Sequence, residues 1–327
     1  METYKDTDKL PELLVTAVGS LPHLDTDKAV NMILKKVITA PHVPQLSRLD
    51  PREQMWIQYT EGLPRFKVDL ANLKYDFDTS GDPLSEIETF YSNYLETTEG
   101  GSAQYFAIGE QYGKGIHVFL EKIQHREKKF PFIKVQVTGP LSFALTVGDQ
   151  EGRPIFYDST FRDIAVKGMG LKAIWLLEQF KPFAENVIVF FDEPCLSAYG
   201  SSAYIGVSRD DVIESLTEVI SMVLDRDGIP GVHCCGNTDW GLLMKTPVRI
   251  INFDAVDYRD SISIYSSELR NFLSRGGVLA WGAVPNTERI LKENLDTVVA
   301  RMRDGLARLE QAGIPNGLLR KRIIVTP

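Results

Sequence analysis

No run of apolar residues in this 327-residue chain approaches the ~18 to 20 that a membrane-spanning helix needs, so no membrane partner is expected. Residues Met1 to Lys9 are polar and acidic, without the apolar core of a secretory signal, and cytoplasmic residence is the expectation. Cysteine is scarce. Only Cys195, Cys234 and Cys235 occur, an odd number with two adjacent, which excludes a disulfide framework. In a reducing compartment, cysteine clustered near histidine points to metal binding or reactivity instead. Basic charge is in deficit, with 36 Lys and Arg against 44 Asp and Glu and a net charge of −8. Nucleic-acid binding, which needs a basic face, is therefore excluded. The acidic residues are spread along the chain rather than gathered in a tail, and they serve solubility. There is no internal repeat, low-complexity tract or obvious linker.

What is present is an ordinary globular composition, 43% hydrophobic and 24% charged. Short apolar, β-branched runs alternate with longer segments of helical period. Strands are expected at 14–18, 42–46, 132–137, 187–191, 231–235, 248–253, 278–281 and 322–326. Continuously apolar stretches such as Val187-Ile188-Val189-Phe190-Phe191 suit strands covered on both faces, as in parallel sheets. Helices are expected at 210–224, 266–273 and 287–312. In the last, Leu291, Leu295, Val298, Met302, Leu306 and Leu309 make one stripe, with Asn286 or Thr287 as the cap and Gly313 just past the end.

Eight strands with intervening helices give the count for an α/β fold closed as a single (β/α)8 TIM barrel over residues 1–327. The connection from the second strand to the third, about 47–130, is long. With helical segments near 84–97 and 115–124, Trp56 and several tyrosines, it reads as an insertion packed over the barrel mouth. A barrel also needs a helix after its eighth strand, so the C-terminal end is expected to be truncated at Ile323-Ile324-Val325-Thr326-Pro327.

The strongest motif is Val232-His233-Cys234-Cys235-Gly236-Asn237-Thr238, ending the fifth expected strand. On a strand, residues i and i+2 face the same way, so His233 and Cys235 face together and Cys234 faces away. An imidazole nitrogen and a thiolate converging at the C-terminal rim form half of a catalytic zinc site. The alternative is a buried histidine beside two small apolar cysteines. Asp192-Glu193-Pro194 ends the fourth strand, and a carboxylate there must find a partner or a cation. Cys195 reads as a packed thiol, His23 as facing the pocket, and His42, His117 and His125 carry no pattern that assigns a role.

His-x-Cys-Gly-Asn-Thr resembles the zinc motif of the superfamily that joins cobalamin-independent methionine synthase, corrinoid-dependent coenzyme M methyltransferases and uroporphyrinogen decarboxylase. The resemblance spans Val15 to Pro327. Ala17-Val18-Gly19-Ser20-Leu21-Pro22 is similar to the Ile-Gly-Ser-Phe-Pro element of the methionine synthase branch, and Asp192-Glu193-Pro194 to its Asp-Glu-Pro element. Thr138-Gly139-Pro140 also matches, and a Gly-Pro turn there is equally structural. The resemblance implies that Val18 and Ser20 hold the carboxylate of homocysteine and Asp192 its amine. It implies zinc on His233 and Cys235, with a further cysteine expected just beyond Pro327. Glu61 is a weak match to a family glutamate that contacts the amine. The family's zinc-binding glutamate on strand six is missing, and Asp254 or Asp257 takes its place or contacts the strand-five Asn-Thr.

The implied activity is zinc-dependent methyl transfer to a small thiol, most plainly homocysteine giving methionine. The donor is a methyl-corrinoid, free or protein-bound, or methyltetrahydrofolate. Rival readings are a uroporphyrinogen decarboxylase-like enzyme, or a non-catalytic barrel that binds zinc or a corrinoid as an accessory. Against the former, Gly19-Ser20-Leu21-Pro22-His23 offers no arginine to grip substrate carboxylates.

Overall fold

The computed structural model describes residues 3–327. Its strands are β1 (Phe66–Asp69), β2 (Lys74–Phe77), β3 (Phe130–Thr138), β4 (Ala184–Asp192), β5 (Ile229–Cys234), β6 (Ile250–Asp254), β7 (Val278–Gly282) and β8 (Ile323–Thr326). The helices are α1 (Thr26–Lys36), α2 (Leu84–Thr98), α3 (Lys114–Ile123), α4 (Pro140–Thr146), α5 (Ser159–Phe180), α6 (Arg209–Leu224), α7 (Trp240–Leu243), α8 (Ser266–Ser274), α9 (Leu295–Gln311) and α10 (Asn316–Lys321). None is long and apolar enough to cross a membrane among the described residues.

Strands β3 to β8 form one parallel sheet in sequence order, the curled half-barrel of a TIM-like architecture. Their side chains divide by parity into two apolar clusters. Phe132, Ile188, Phe190, Ile250, Ala280 and Ile324 lie in an inner cluster together with Leu14 and Ala40. Ile133, Val189, Phe191, Ile251, Phe253 and Trp281 lie in an outer one, packed against the helices. Both faces being buried, the strands carry the continuous apolar runs that such sheets require.

Two of the eight expected strands, 14–18 and 42–46, do not form continuous ladders. They meet their neighbours through isolated parallel bridges: Val15 with Val325, Ser20 with Gln45 and His42 with Lys134. Short sets of backbone hydrogen bonds accompany them, including Thr16 N to Val325 O (3.1 Å), Gln45 N to Gly19 O (3.0 Å) and Val43 N to Lys134 O (2.9 Å). Pro41 and Pro44 remove amide donors from the second segment, which breaks its ladder. The segments still run between β8 and β3.

The region between the second segment and β3 holds α2, α3 and the antiparallel hairpin β1–β2, which the sequence pattern had not suggested. The stripe expected over 287–312 is also interrupted. A short 3-10 turn, Glu288–Lys292, precedes α9, which begins at a capping box between Asn294 and Thr297, and Leu291 and Leu295 are exposed. Gly313 follows α9 with φ +92°, as expected of a helix-ending glycine.

Candidate functional site

Polar side chains gather at the C-terminal ends of the inner positions. Asp192 on β4 pairs in register with His233 on β5, and His233 with Asn252 on β6. Thr326 ends β8. Lys134 and Gln136 sit on β3 in phase with the inner residue Phe132.

Asn252 organises one half of this rim. Its Nδ2 donates to Ala280 O on β7 and to Thr326 Oγ1 on β8, each at 2.8 Å. With both donors turned that way, its Oδ1 faces the His233 ring and accepts from Nδ1. Nδ1 therefore carries the ring proton, and Nε2 keeps its lone pair. Burial, the larger effect, holds the His233 pKa down at about 4; the Asn252 hydrogen bond opposes this, while the nearby Lys134 charge adds to it. The imidazole is neutral at pH 7 and able to act as a ligand.

Cys235 follows β5 and is exposed, whereas Cys234 is buried in the outer cluster. Partial burial raises the Cys235 thiol pKa, and the negative neighbours Asp192, Asp254 and Cys195 add to that. A cation would reverse this, since a coordinated thiol is deprotonated. The donor set is thus suited to zinc as far as it goes: one neutral imidazole with its proton pinned on the far nitrogen, and one accessible thiol. Among the described residues, no group of three His, Cys, Asp or Glu side chains is arranged to hold a metal ion.

Asp192 at the end of β4 and Lys134 on the neighbouring β3 feel each other's charge. Burial pushes the carboxyl pKa up and the ammonium pKa down, and their mutual attraction resists both shifts. Asp192 Oδ1 is buried without a hydrogen-bond partner. The adjacent Glu193 points the other way. Its carboxylate accepts from Leu141 N at 3.0 Å and Ser142 N at 2.7 Å, capping the N-terminus of α4. A Cβ at Gly139 would overlap this carboxyl, which is why glycine precedes Pro140. Glu193 N also donates to His233 O at 2.8 Å, tying the ends of β4 and β5 together.

The remaining candidates are more scattered. Ser20 Oγ donates to Gln45 Oε1 at 3.0 Å, and the Val18 carbonyl accepts from the Lys134 ammonium. Glu61 lies elsewhere: it accepts from Gly109 N at 2.5 Å and faces the buried Lys172 of α5. Asp254 Oδ1 accepts from Val256 N and Asp257 N in its own turn, and Asp257 pairs with Arg289. The partner of the His233 ring is Asn252, a single polar residue in an apolar strand that no motif marks. Cys195 accepts from Tyr204 OH at 3.0 Å and is half-buried. His23 is half-buried, and its Nδ1 has no partner.

No family model matches this sequence, and no curated protein matches it. Among solved structures, the fold is similar to that of a methyltransferase from Methanosarcina mazei, with a TM-score of 0.55 over 100% of this chain and 93% of that one. Identity is 12%, so the likeness is one of fold.

Proposed function

We propose that this chain is a zinc-dependent methyltransferase whose acceptor is a small thiol, homocysteine first among them. The donor is a methyl-corrinoid or methyltetrahydrofolate. The ring made by the six-stranded sheet and its two bridging segments is, on this reading, a (β/α)8 barrel, with its site at the C-terminal rim as in other barrels of that class. The observation that carries the proposal is the His233–Asn252 pair, which directs the Nε2 lone pair away from Asn252 on the strand end that leads to Cys235. The structural neighbour's description as a methyltransferase agrees with it.

His233 and Cys235 would hold the metal, with Asn252 fixing the imidazole. Bound zinc would supply a Lewis acid that keeps an acceptor sulfur as thiolate at neutral pH. The chain's own residues do the rest. Asp192 offers a buried carboxylate oxygen without a donor, fitted to an amine. Ser20 and the Val18 turn would receive the acceptor carboxylate. Glu193 holds the β4 end so that Asp192 faces inward. Glu61, already engaged by Gly109, has no place among them.

Zinc per chain, measured on the parent and on Cys235→Ser, tests the proposal. About one zinc in the parent, sharply reduced in the variant, is expected, together with methylation of homocysteine by methylcobalamin. A parent that holds no zinc after anaerobic purification overturns it.

A further inference from the structure

Below the rim lies a cation that no motif announces. Of the two buried lysines, Lys172 lies on α5 and Lys134 on β3 with the inner side chains. The Lys134 head group donates to the Val18 carbonyl and, at 3.1 Å, to Gln136 Oε1, and lies 4.7 Å from the centre of the Phe190 ring. Gln136 in turn donates to Val43 O at 3.0 Å. The ammonium therefore sits beneath the turn Val18-Gly19-Ser20 and stitches it to β3. Gly19 closes the contact, since its φ is +135° and a Cβ there would lie 2.5 Å from the Gln136 amide.

Two protons of the ammonium are used by these bonds. Among the described residues no ion pair within 4.0 Å joins Lys134 to Asp192, although each feels the other's charge. The inner face thus presents a buried positive charge on β3 and, on the neighbouring strand β4, a carboxylate oxygen lacking a donor. An α-amino acid carries the complementary pair, with a carboxylate and an ammonium on one carbon.

Resting on the reading above, we infer that Lys134 is the specificity-determining cation of the site, selecting acceptor thiols that bear an α-carboxylate beside the amine. Its charge attracts the carboxylate, and its bond to Val18 O fixes the turn against which that carboxylate lies. A charge-assisted contact of this kind in a buried setting is worth roughly ten- to a hundredfold in affinity.

The test is calorimetric binding of homocysteine and of 3-aminopropane-1-thiol, the same molecule without its carboxylate, to the zinc-loaded parent and to Lys134→Met. The parent should prefer homocysteine by about ten- to a hundredfold. Lys134→Met should lose that preference, while its retained zinc and melting temperature show that the variant is folded. Equal affinity of the parent for both thiols overturns the inference whether or not the variant folds, and leaves zinc binding and methyl transfer standing. So does a variant that loses both thiols in equal measure while keeping its zinc and its melting temperature. A parent that binds neither thiol overturns both this inference and the proposed function.

Discussion

Replacing His42 by leucine should stabilise the protein, and should do so more as the pH falls. His42 lies in the second bridging segment, 4% exposed, and neither of its ring nitrogens has a hydrogen-bond partner. Burial, helped by the Lys134 charge, lowers its pKa from 6.5 to about 3. In the unfolded chain the imidazole binds a proton near pH 6.5, whereas in the folded protein it stays neutral until about pH 3. The unfolded state thus holds more protons across that window, so stability contributed above pH 6.5 is lost progressively as the pH drops towards 3. The slope for one group is about 1.4 kcal/mol per pH unit. Between pH 6.5 and 5 that amounts to about 2 kcal/mol (1.5 units at 1.36). His42→Leu abolishes this term. It also removes two unpaired polar atoms from the interior, for a pH-independent gain of about 1–3 kcal/mol less any repacking strain. Urea unfolding of both proteins from pH 5 to 8, followed by fluorescence and circular dichroism, reads the difference. It should be positive at pH 8 and larger by about 2 kcal/mol at pH 5. A variant less stable than the parent at pH 8, with no change in difference on acidification, would show that the ring nitrogens are satisfied and refute the reasoning.

Two further outcomes are expected. Asn252→Leu frees the His233 ring and leaves the Ala280 carbonyl and Thr326 hydroxyl without their donor, so zinc affinity should fall by about 10–100-fold in a competition titration against a chelator; unchanged affinity would remove Asn252 from the site. Glu193→Ala strips two backbone amides at the start of α4 of their buried acceptor, and should cost about 2–4 kcal/mol in urea unfolding. A loss under 1 kcal/mol would mean that water replaces the carboxylate.

The six strands of the continuous sheet were legible because burial on both faces writes itself as unbroken apolar runs, and α6 and α8 were found within a residue or two by period alone. The second strand was misjudged because composition does not reveal how many amides a segment can offer, and Pro41 and Pro44 withdraw two there; nothing comparable marks 14–18. The hairpin β1–β2 escaped because Phe66-Lys67-Val68-Asp69 and Lys74-Tyr75-Asp76-Phe77 enclose no glycine turn; Leu73 takes the positive φ instead, at 52°. α9 started late because Asn294 outcompeted Thr287 as a cap. In the site, the strand-end motifs pointed to His233 and Asp192. Lys134, Gln136 and Asn252 were hidden as single polar residues in apolar strands. A signal existed: Lys134 and Gln136 recur at a spacing of two within Phe132-Ile133-Lys134-Val135-Gln136-Val137, which marks one face of β3 as wet or paired.

The bridge between Val15 and Val325 joins positions 310 apart in sequence (325 − 15). During synthesis β3 to β7 can assemble in the order in which they emerge, each on its predecessor. Residues 13–16 have to wait, one flank unsatisfied, until 323–325 leave the ribosome. Pairing of this segment with β8 therefore follows the assembly of β3 to β7, and a nascent protein stalled before β8 would present an open edge to chaperones and proteases alike.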